Sequence, residues 1–160
     1  MSDTVELRRG VSGDAAELRR LTRAAFAKWV PIIGREPKPM GADYEEAVES
    51  HRFDLIYVDG VLAGLIETID EGDSLLVENL AVDPDFQGRG LGSALLAHAE
   101  EIARAAGHAR VTLYTNQRFA QNIELYLRRG YSLDREEDLG AGMVRVNMSK
   151  DLSSPTPSNA

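Results

Sequence analysis

The stretch Glu78-Asn79-Leu80-Ala81-Val82-Asp83-Pro84-Asp85-Phe86-Gln87-Gly88-Arg89-Gly90-Leu91-Gly92 decides how the chain is read. A strand ends at Val82, Asp83-Pro84 begins a turn, and a long helix starts near Gly90. Three alternate glycines, Gly88, Gly90 and Gly92, remove side chains from the helix entrance. Backbone N–H groups there can converge on an anion, with the positive end of the helix dipole behind them and Arg89 beside them. A diphosphate is the natural ligand. No Gly-Lys-Ser/Thr follows, so this is not a Walker A loop. The glycines give G-x-G-x-G in place of the dinucleotide G-x-G-x-x-G, and the next strand ends at Thr115-Asn116 with no acidic residue for a ribose. On the glycines alone, a ligand-free turn stays open.

Outward from this loop, strands and helices alternate. Val5–Arg9 is a short strand. Ser12-Gly13-Asp14 supplies helix N-cap residues, with Glu17 three after Asp14 as in a capping box. Leu18, Leu21, Ala25 and Trp29 form one apolar helix face, ended or bent by Pro31. Pro31–Ala42 reads as a loop, and Asp43 caps a helix through about Ser50. Phe53–Val58 and Val61–Ile69 flank Asp59-Gly60, a two-residue hairpin signal. Ser74–Val82 is a third long strand. Leu91, Leu95, Ala99, Ile102 and Ala106 stripe a helix closed by Gly107. Arg110–Thr115 is a buried strand, Phe119–Arg129 a helix stopped by Gly130, and Tyr131–Arg135 and Met143–Met148 the last strands. The run Asp134–Asp138 reads as a solvated turn between them. Hairpin-linked strands followed by a strand–helix–strand crossover imply an α/β fold: a mixed sheet with helices on both faces. Residues 1–151 read as one domain, and the Ser/Pro/Asn-rich tail from Leu152 to Ala160 as disordered.

Gln87-Gly88-Arg89-Gly90-Leu91-Gly92 resembles the acyl-CoA pyrophosphate loop of the GNAT acetyltransferase superfamily, Gln/Arg-x-x-Gly-x-Gly/Ala, after a strand ending Leu80-Ala81-Val82-Asp83-Pro84. About thirty-five residues on, Leu125-Tyr126-Leu127-Arg128-Arg129-Gly130-Tyr131 resembles the family's second signature, a helix with Leu-Tyr before a strand opened by Gly-Phe/Tyr. The resemblance covers roughly Val5 to Lys150. It implies the GNAT fold, a mixed, mostly antiparallel twisted sheet whose splayed strand pair holds acyl-CoA. It implies acetyl-CoA as acyl donor, without a metal, held by Leu80, Ala81, Val82, Gln87, Gly88, Arg89, Gly90, Leu91 and Gly92. One position departs: the Asn that many members carry seven before the helix tyrosine is Phe119 here. Asn122, four before Tyr126 and on nearly the same helix face, is the candidate to take over that cofactor contact, with packing alone the competing reading.

The implied chemistry is direct attack of an amine on a thioester. The Leu80 N–H is the candidate oxyanion donor. The resemblance makes Tyr126 the proton donor to the leaving thiolate; its reference pKa of about 10 lies above a thiol's about 8.5. Glu78, a carboxylate in an apolar strand, is the first candidate for the base that neutralises the amine. Glu67 on the neighbouring strand is the alternate, and Tyr114 a weaker one. Trp29, Met40 and Tyr44, around a Pro/Gly-rich loop, are the candidate acceptor pocket; Trp29 as core filler under that loop is the competing view. His51, His98 and His108 have no metal-ligand spacing and read as surface or capping residues.

Composition narrows the partners. With 160 residues, 43% apolar and 28% charged, the chain supports one globular core. A net charge of −8 argues against nucleic acid as the main partner. With no cysteine there is no disulfide and no thiolate nucleophile or ligand. Met1–Arg9 is polar, without the apolar segment of a secretion signal, and no run approaches the roughly 18 apolar residues of a membrane helix. The expectation is a cytoplasmic N-acetyltransferase acting on a small-molecule amine or peptide N-terminus. The alternative is a non-catalytic acyl-CoA sensor, and a homodimer is left open.

Overall fold

The computed structural model describes Thr4–Leu152. The tail expected to be disordered therefore lies outside the described residues from position 153 onward. Leu152 itself is tied in, its N–H donating to the Ala109 carbonyl at 2.7 Å. Two compact units divide the chain, one within Met1–Thr68 and Glu78–Leu96, the other within Ile69–Val77 and Ala97–Ala160.

In the first unit β1 (Val5–Arg9) lies antiparallel to β2 (Arg52–Val58), and β2 antiparallel to β3 (Val61–Asp70). The β2–β3 turn holds Asp59 at φ 51° and Gly60 at φ 82°. Positive φ at both central residues is the hairpin geometry that the Asp-Gly pair favours. Helix α1 (Ala15–Phe26) buries Leu18, Leu21 and Ala25 as its periodicity requires. Its start differs from expectation. The Asp14 carboxylate accepts from the Val11 N–H at 2.8 Å and makes no side-chain cap, while Glu17 pairs with Arg20. Its end differs too. The helix stops at Phe26, a 3-10 turn covers Ala27–Trp29, and α2 (Val30–Ile33) takes Pro31 in its first turn, where no N–H is needed. The expected loop Pro31–Ala42 thus contains the end of α2 and a further 3-10 turn, Lys38–Gly41. Helix α3 (Tyr44–Ser50) starts at Asp43, whose side chain accepts from the Glu46 N–H at 3.1 Å.

Strand β4 (Ser74–Val82) belongs to both units. In the second, Ser74–Val77 run parallel to Arg110–Leu113 of β5 (Arg110–Asn116). In the first, the chain leaving β4 is pinned by the Asp83 N–H on the Ala63 carbonyl, at 2.8 Å. Helix α4 (Leu91–Ala105) follows the glycine loop, and Leu91, Leu95 and Ala99 are buried as expected. Further along, the buried positions are Leu96, Glu100 and Ala103, where the sequence pointed to Ile102 and Ala106.

The second unit adds α5 (Ala120–Arg128), β6 (Ser132–Gly140) and β7 (Met143–Asp151); β7 is antiparallel to both β5 and β6. The β4–β5 pairing is parallel and the other pairings described here are antiparallel, the mixed arrangement expected. Asp134–Asp138 is strand, not turn. Glu137 there accepts from Arg145 at 3.0 Å and Asn147 at 2.8 Å on β7, and the turn falls on Gly140–Gly142, all three at positive φ. Buried Glu100 gathers Arg129 at 3.1 Å, Lys150 at 3.0 Å and the Tyr131 hydroxyl at 3.1 Å. A carboxylate so enclosed needs such partners, because an unpaired buried charge is costly.

Gly64 of β3 sets the closest packing in the first unit. A Cβ there would lie 3.1 Å from the Ala81 carbonyl oxygen, 3.1 Å from Ile56 Cγ2 and 3.2 Å from Leu95 Cδ1. Gly64→Val is therefore expected to destabilise the protein by about 1–3 kcal/mol, the usual range for overpacking. Urea denaturation checks this, and an unchanged midpoint would show that β4 and α4 yield freely.

Candidate functional site

The glycine loop is built on two short-range devices. The Asp83 carboxylate accepts from the Asp85 N–H at 2.9 Å and its carbonyl from the Phe86 N–H at 2.8 Å, closing a 3-10 turn over Pro84–Phe86. Gln87 then folds back, donating Nε2 to the Val82 carbonyl at 3.1 Å, while Lys28 donates to its Oε1 at 3.4 Å. Gly88 and Gly90 follow at φ 82° and 79°. A Cβ at either would meet nothing within 4 Å, so glycine is needed here for backbone conformation and not for room against the protein. The α4 ladder opens with the Ala94 N–H on the Gly90 carbonyl at 3.0 Å. The N–H groups of Leu91, Gly92 and Ser93 precede that ladder and have no intrahelical acceptor. Gln87, Gly88, Arg89 and Gly90 are exposed, whereas Leu91 is buried and anchors the loop. The Arg89 guanidinium lies 5.1 Å from the Phe86 ring centre. Leu80 and Val82 at the strand end are half-buried and Ala81 is buried. These residues set exposed backbone at a helix N-terminus with Lys28 and Arg89 near it, a combination suited to a diphosphate.

The first unit also holds a group of carboxylates. Glu67 on β3 is 4% exposed, and its Oε2 lies 2.6 Å from His51 Nδ1. Burial raises the Glu67 carboxyl above its ordinary value, His51 pulls it back, and the charge of Glu78 pushes it up again. Glu78, half-buried on β4, thus stands close enough to act on Glu67. A carboxyl lifted in this way is a better proton acceptor near neutral pH than an exposed one. The sequence placed Glu67 and Glu78 on adjacent strands and gave His51 a surface or capping role; His51 does cap α3, but it is half-buried against Glu67 and not a surface residue. His108 is likewise no surface residue, its side chain being 5% exposed and 3.2 Å from Asp70.

Trp29, Met40 and Tyr44 are all buried, at 5%, 5% and 0% exposure. Tyr44 donates its hydroxyl to the Pro39 carbonyl at 2.7 Å, accepts from Asn79 Nδ2 at 3.2 Å, and sets its ring edge-on to Phe53. Asn79 Nδ2 also reaches Thr22 Oγ1 at 3.3 Å. Neither Asn79 nor Thr22 was flagged by the sequence. The only signal for Asn79 was its place between the apolar residues Val77 and Ala81 on one face of β4, which are buried with it.

In the second unit Tyr126 and Asn122 occupy α5, one turn apart. Tyr126 is buried and sits edge-on to Tyr131 with ring centres 6.1 Å apart. Burial pushes its hydroxyl pKa upward, so it stays protonated across the physiological range. Asn122 is half-buried, and Phe119 is buried at the helix N-cap without a side-chain cap. Tyr114 on β5 is half-buried under the Arg145 guanidinium, 5.0 Å from its ring centre.

With this geometry stand the likenesses to known proteins. The model of the acetyltransferase (GNAT) family matches residues 16–131, and the chain belongs to that family. Streptothricin acetyltransferase of Streptomyces lavendulae is 30% identical over 125 residues, 76% of this chain and 66% of that protein. S-(2-succino)cysteine N-acetyltransferase of Bacillus subtilis is 39% identical over 74 residues, 45% of each chain. The chain thus spans less than two thirds of the length of these curated relatives. The crystal structure of PaiA N-acetyltransferase from Thermoplasma acidophilum, in complex with coenzyme A, superposes with a TM-score of 0.77 at 18% identity, over 92% of this chain and 99% of that one, and shows the same fold. Among the described residues no helix is long and apolar enough to cross a membrane, and no group of His, Asp and Glu could hold a metal ion.

The raised Glu67 carboxyl has a signed consequence for stability. The folded state binds this proton more tightly than the unfolded chain, so its contribution is present below the unfolded pKa of about 4.3 and is lost as pH rises through the folded value. Glu67→Gln cannot titrate. The melting temperature of the variant minus that of wild type should therefore grow from pH 4 upward and then level off. A difference independent of pH would show that Glu67 is not raised.

Proposed function

We propose that the protein is an acetyl-CoA-dependent N-acetyltransferase acting on a primary amine, either a small molecule or a peptide N-terminus. The observation that carries this reading is the loop Gln87–Gly92, with Gly88 and Gly90 at positive φ and free of Cβ obstruction at the entrance of α4. Its N–H groups, with Arg89, bind the diphosphate, and Leu80, Ala81 and Val82 receive the pantetheine arm as it runs along the end of β4. Asn122 is proposed as a further cofactor contact. The names of the relatives support the reaction class, since both are acetyltransferases.

In the proposed reaction the neutral amine nitrogen attacks the thioester carbonyl carbon. The carbonyl oxygen takes negative charge, for which the Leu80 N–H is the proposed donor. The C–S bond then breaks, the attacking nitrogen sheds its second proton as the amide forms, and that proton, passed through Tyr126, protonates the departing thiolate to free CoA. The amine begins as an ammonium, whose proton goes to a carboxylate. Glu67 is proposed as that base and Glu78 as the neighbouring charge that keeps it basic; burial of the one and the electrostatic pressure of the other support this division. Glu78, the first candidate by sequence, is the alternative base. Tyr126 is proposed as proton donor to the thiolate. Its raised pKa makes full transfer more uphill and favours a hydrogen bond that strengthens as the thiolate forms. The acceptor is proposed to lie over the Pro31–Ala42 segment, with Trp29, Met40 and Tyr44 as the apolar floor beneath it.

CoA release from acetyl-CoA, measured with streptothricin, S-(2-succino)cysteine and a peptide with a free N-terminus, tests the reading. Acetyl-CoA binding without release for any of them would favour a sensor. Gly90→Val should weaken acetyl-CoA binding in calorimetry at least about tenfold while circular dichroism stays unchanged, because valine resists positive φ. Tyr126→Phe keeps the ring and its packing, so kcat should fall on the order of 10²-fold with acetyl-CoA affinity nearly unchanged. Full kcat in that variant would assign thiolate protonation to solvent.

A further inference from the structure

We propose that His51 carries the proton taken from the acceptor amine out of the buried base Glu67 to water. The proposal rests on the reading of Glu67 as base. A base that is 4% exposed must give up its proton in every turnover, yet its own contact with solvent is slight. His51 supplies the missing connection. Its Nδ1 is 2.6 Å from Glu67 Oε2, and its side chain is 28% exposed against 6% for that of Glu67. The ring is also fixed from its own backbone. His51 ends α3, and its N–H donates to the Ala47 carbonyl at 2.8 Å. An imidazole can accept a proton at one nitrogen and release one at the other.

The groups packed around this pair leave the role to His51. On β2, Phe53 stands directly opposite Glu67 in the register, and Arg52 is engaged by Asp54 at 2.8 Å. On α3, Tyr44 is driven to a pKa of about 12 by burial, with the Glu67 charge adding to the effect, so it holds its proton. On β4, the charge of Glu78 raises the Glu67 carboxyl and favours its protonated form. The His51 bond works the other way, holding the Glu67 carboxyl lower than burial would leave it.

The proton balance is closed. The ammonium N–H bond breaks as an O–H bond forms on Glu67. That O–H bond breaks as Nδ1–H forms on His51, and the imidazolium gives its Nε2 proton to water. A turn of the ring that brings Nδ1–H to water, and exchange there, resets the tautomer, so the net change is one proton moved from the ammonium to solvent. His51 acts through Glu67; it is a positioning and relay residue.

The test uses the full chain, with streptothricin and acetyl-CoA as substrates, comparing wild type, His51→Ala, His51→Gln and Glu67→Gln across pH. Both His51 variants should lose roughly tenfold or more in kcat near neutral pH, with the KM for acetyl-CoA unchanged. In His51→Ala the acid limb of the rate profile should move to higher pH, because the bond that lowers the Glu67 carboxyl is gone. Imidazole added to solution should restore His51→Ala, where the ring has left space. It should not restore His51→Gln, which fills that space, nor Glu67→Gln. The Glu67 carboxyl, followed by 13C NMR in acceptor-free His51→Ala, should titrate at higher pH than in wild type. An unmoved titration, or a rate loss in folded His51→Ala that imidazole does not relieve, overturns the relay. A Glu67→Gln variant with wild-type rate instead overturns the assignment of the base.

Discussion

The first unit depends on a side chain that is not there. Gly64 lets the backbone of β4 at Ala81 and the first turns of α4 at Leu95 close onto β3 within van der Waals contact. The segment Asp83–Gly90 is strung between those two elements, so the spacing at Gly64 fixes both ends of the loop. Interiors are packed densely enough that one added methyl is felt at its neighbours. The Asp83 N–H on the Ala63 carbonyl, one residue from Gly64, locks the same junction by a hydrogen bond. The geometry of the loop is thus held from below by packing, and only its exposed rim is left to the backbone preferences of Gly88 and Gly90.

Local causes were legible and distant ones were not. The Asp59-Gly60 hairpin, the helix closed by Gly107 and the Asp43 cap each follow from residues within a few positions, and each stands as read. The loop was legible for the same reason: a glycine at positive φ announces itself in the sequence. β6 was misread because its acidic run has turn-like composition, while the reason it is a strand lies on β7, where Arg145 and Asn147 meet Glu137. Nothing local marks Glu100 as buried, because its partners Arg129, Tyr131 and Lys150 come at least 29 positions later. His51 met Glu67 across 16 positions, and no periodicity could announce that.

The site read from sequence and the site seen in the structure therefore differ in kind. The anion-binding part was readable as a motif. The proton-handling part is a matter of burial, and burial is a property of the fold. Tyr44 shows the difference plainly: its sequence position at the edge of a Pro/Gly-rich loop suggested a ligand-facing ring. The structure instead spends its hydroxyl on Pro39 and Asn79 and its ring on Phe53. Glu67 shows the converse. A carboxylate kept partly unwilling to ionise weakens the fold near neutral pH, and proteins commonly accept such a weakness where it serves chemistry.

β6 bears on how copies of the protein behave toward one another. Among the described residues it pairs with β7 alone, and apart from Glu137 it is exposed along its whole length, with Leu133 and Leu139 uncovered near its ends. An exposed edge of this length is a template on which another strand can stack. Between those two leucines run Asp134, Arg135, Glu136, Glu137 and Asp138, so an approaching second edge of the same sequence meets predominantly like charge at close range. That repulsion is screened by salt. The acidic run thus acts as a guard against aggregation, and its strength is set by the ionic strength of the medium.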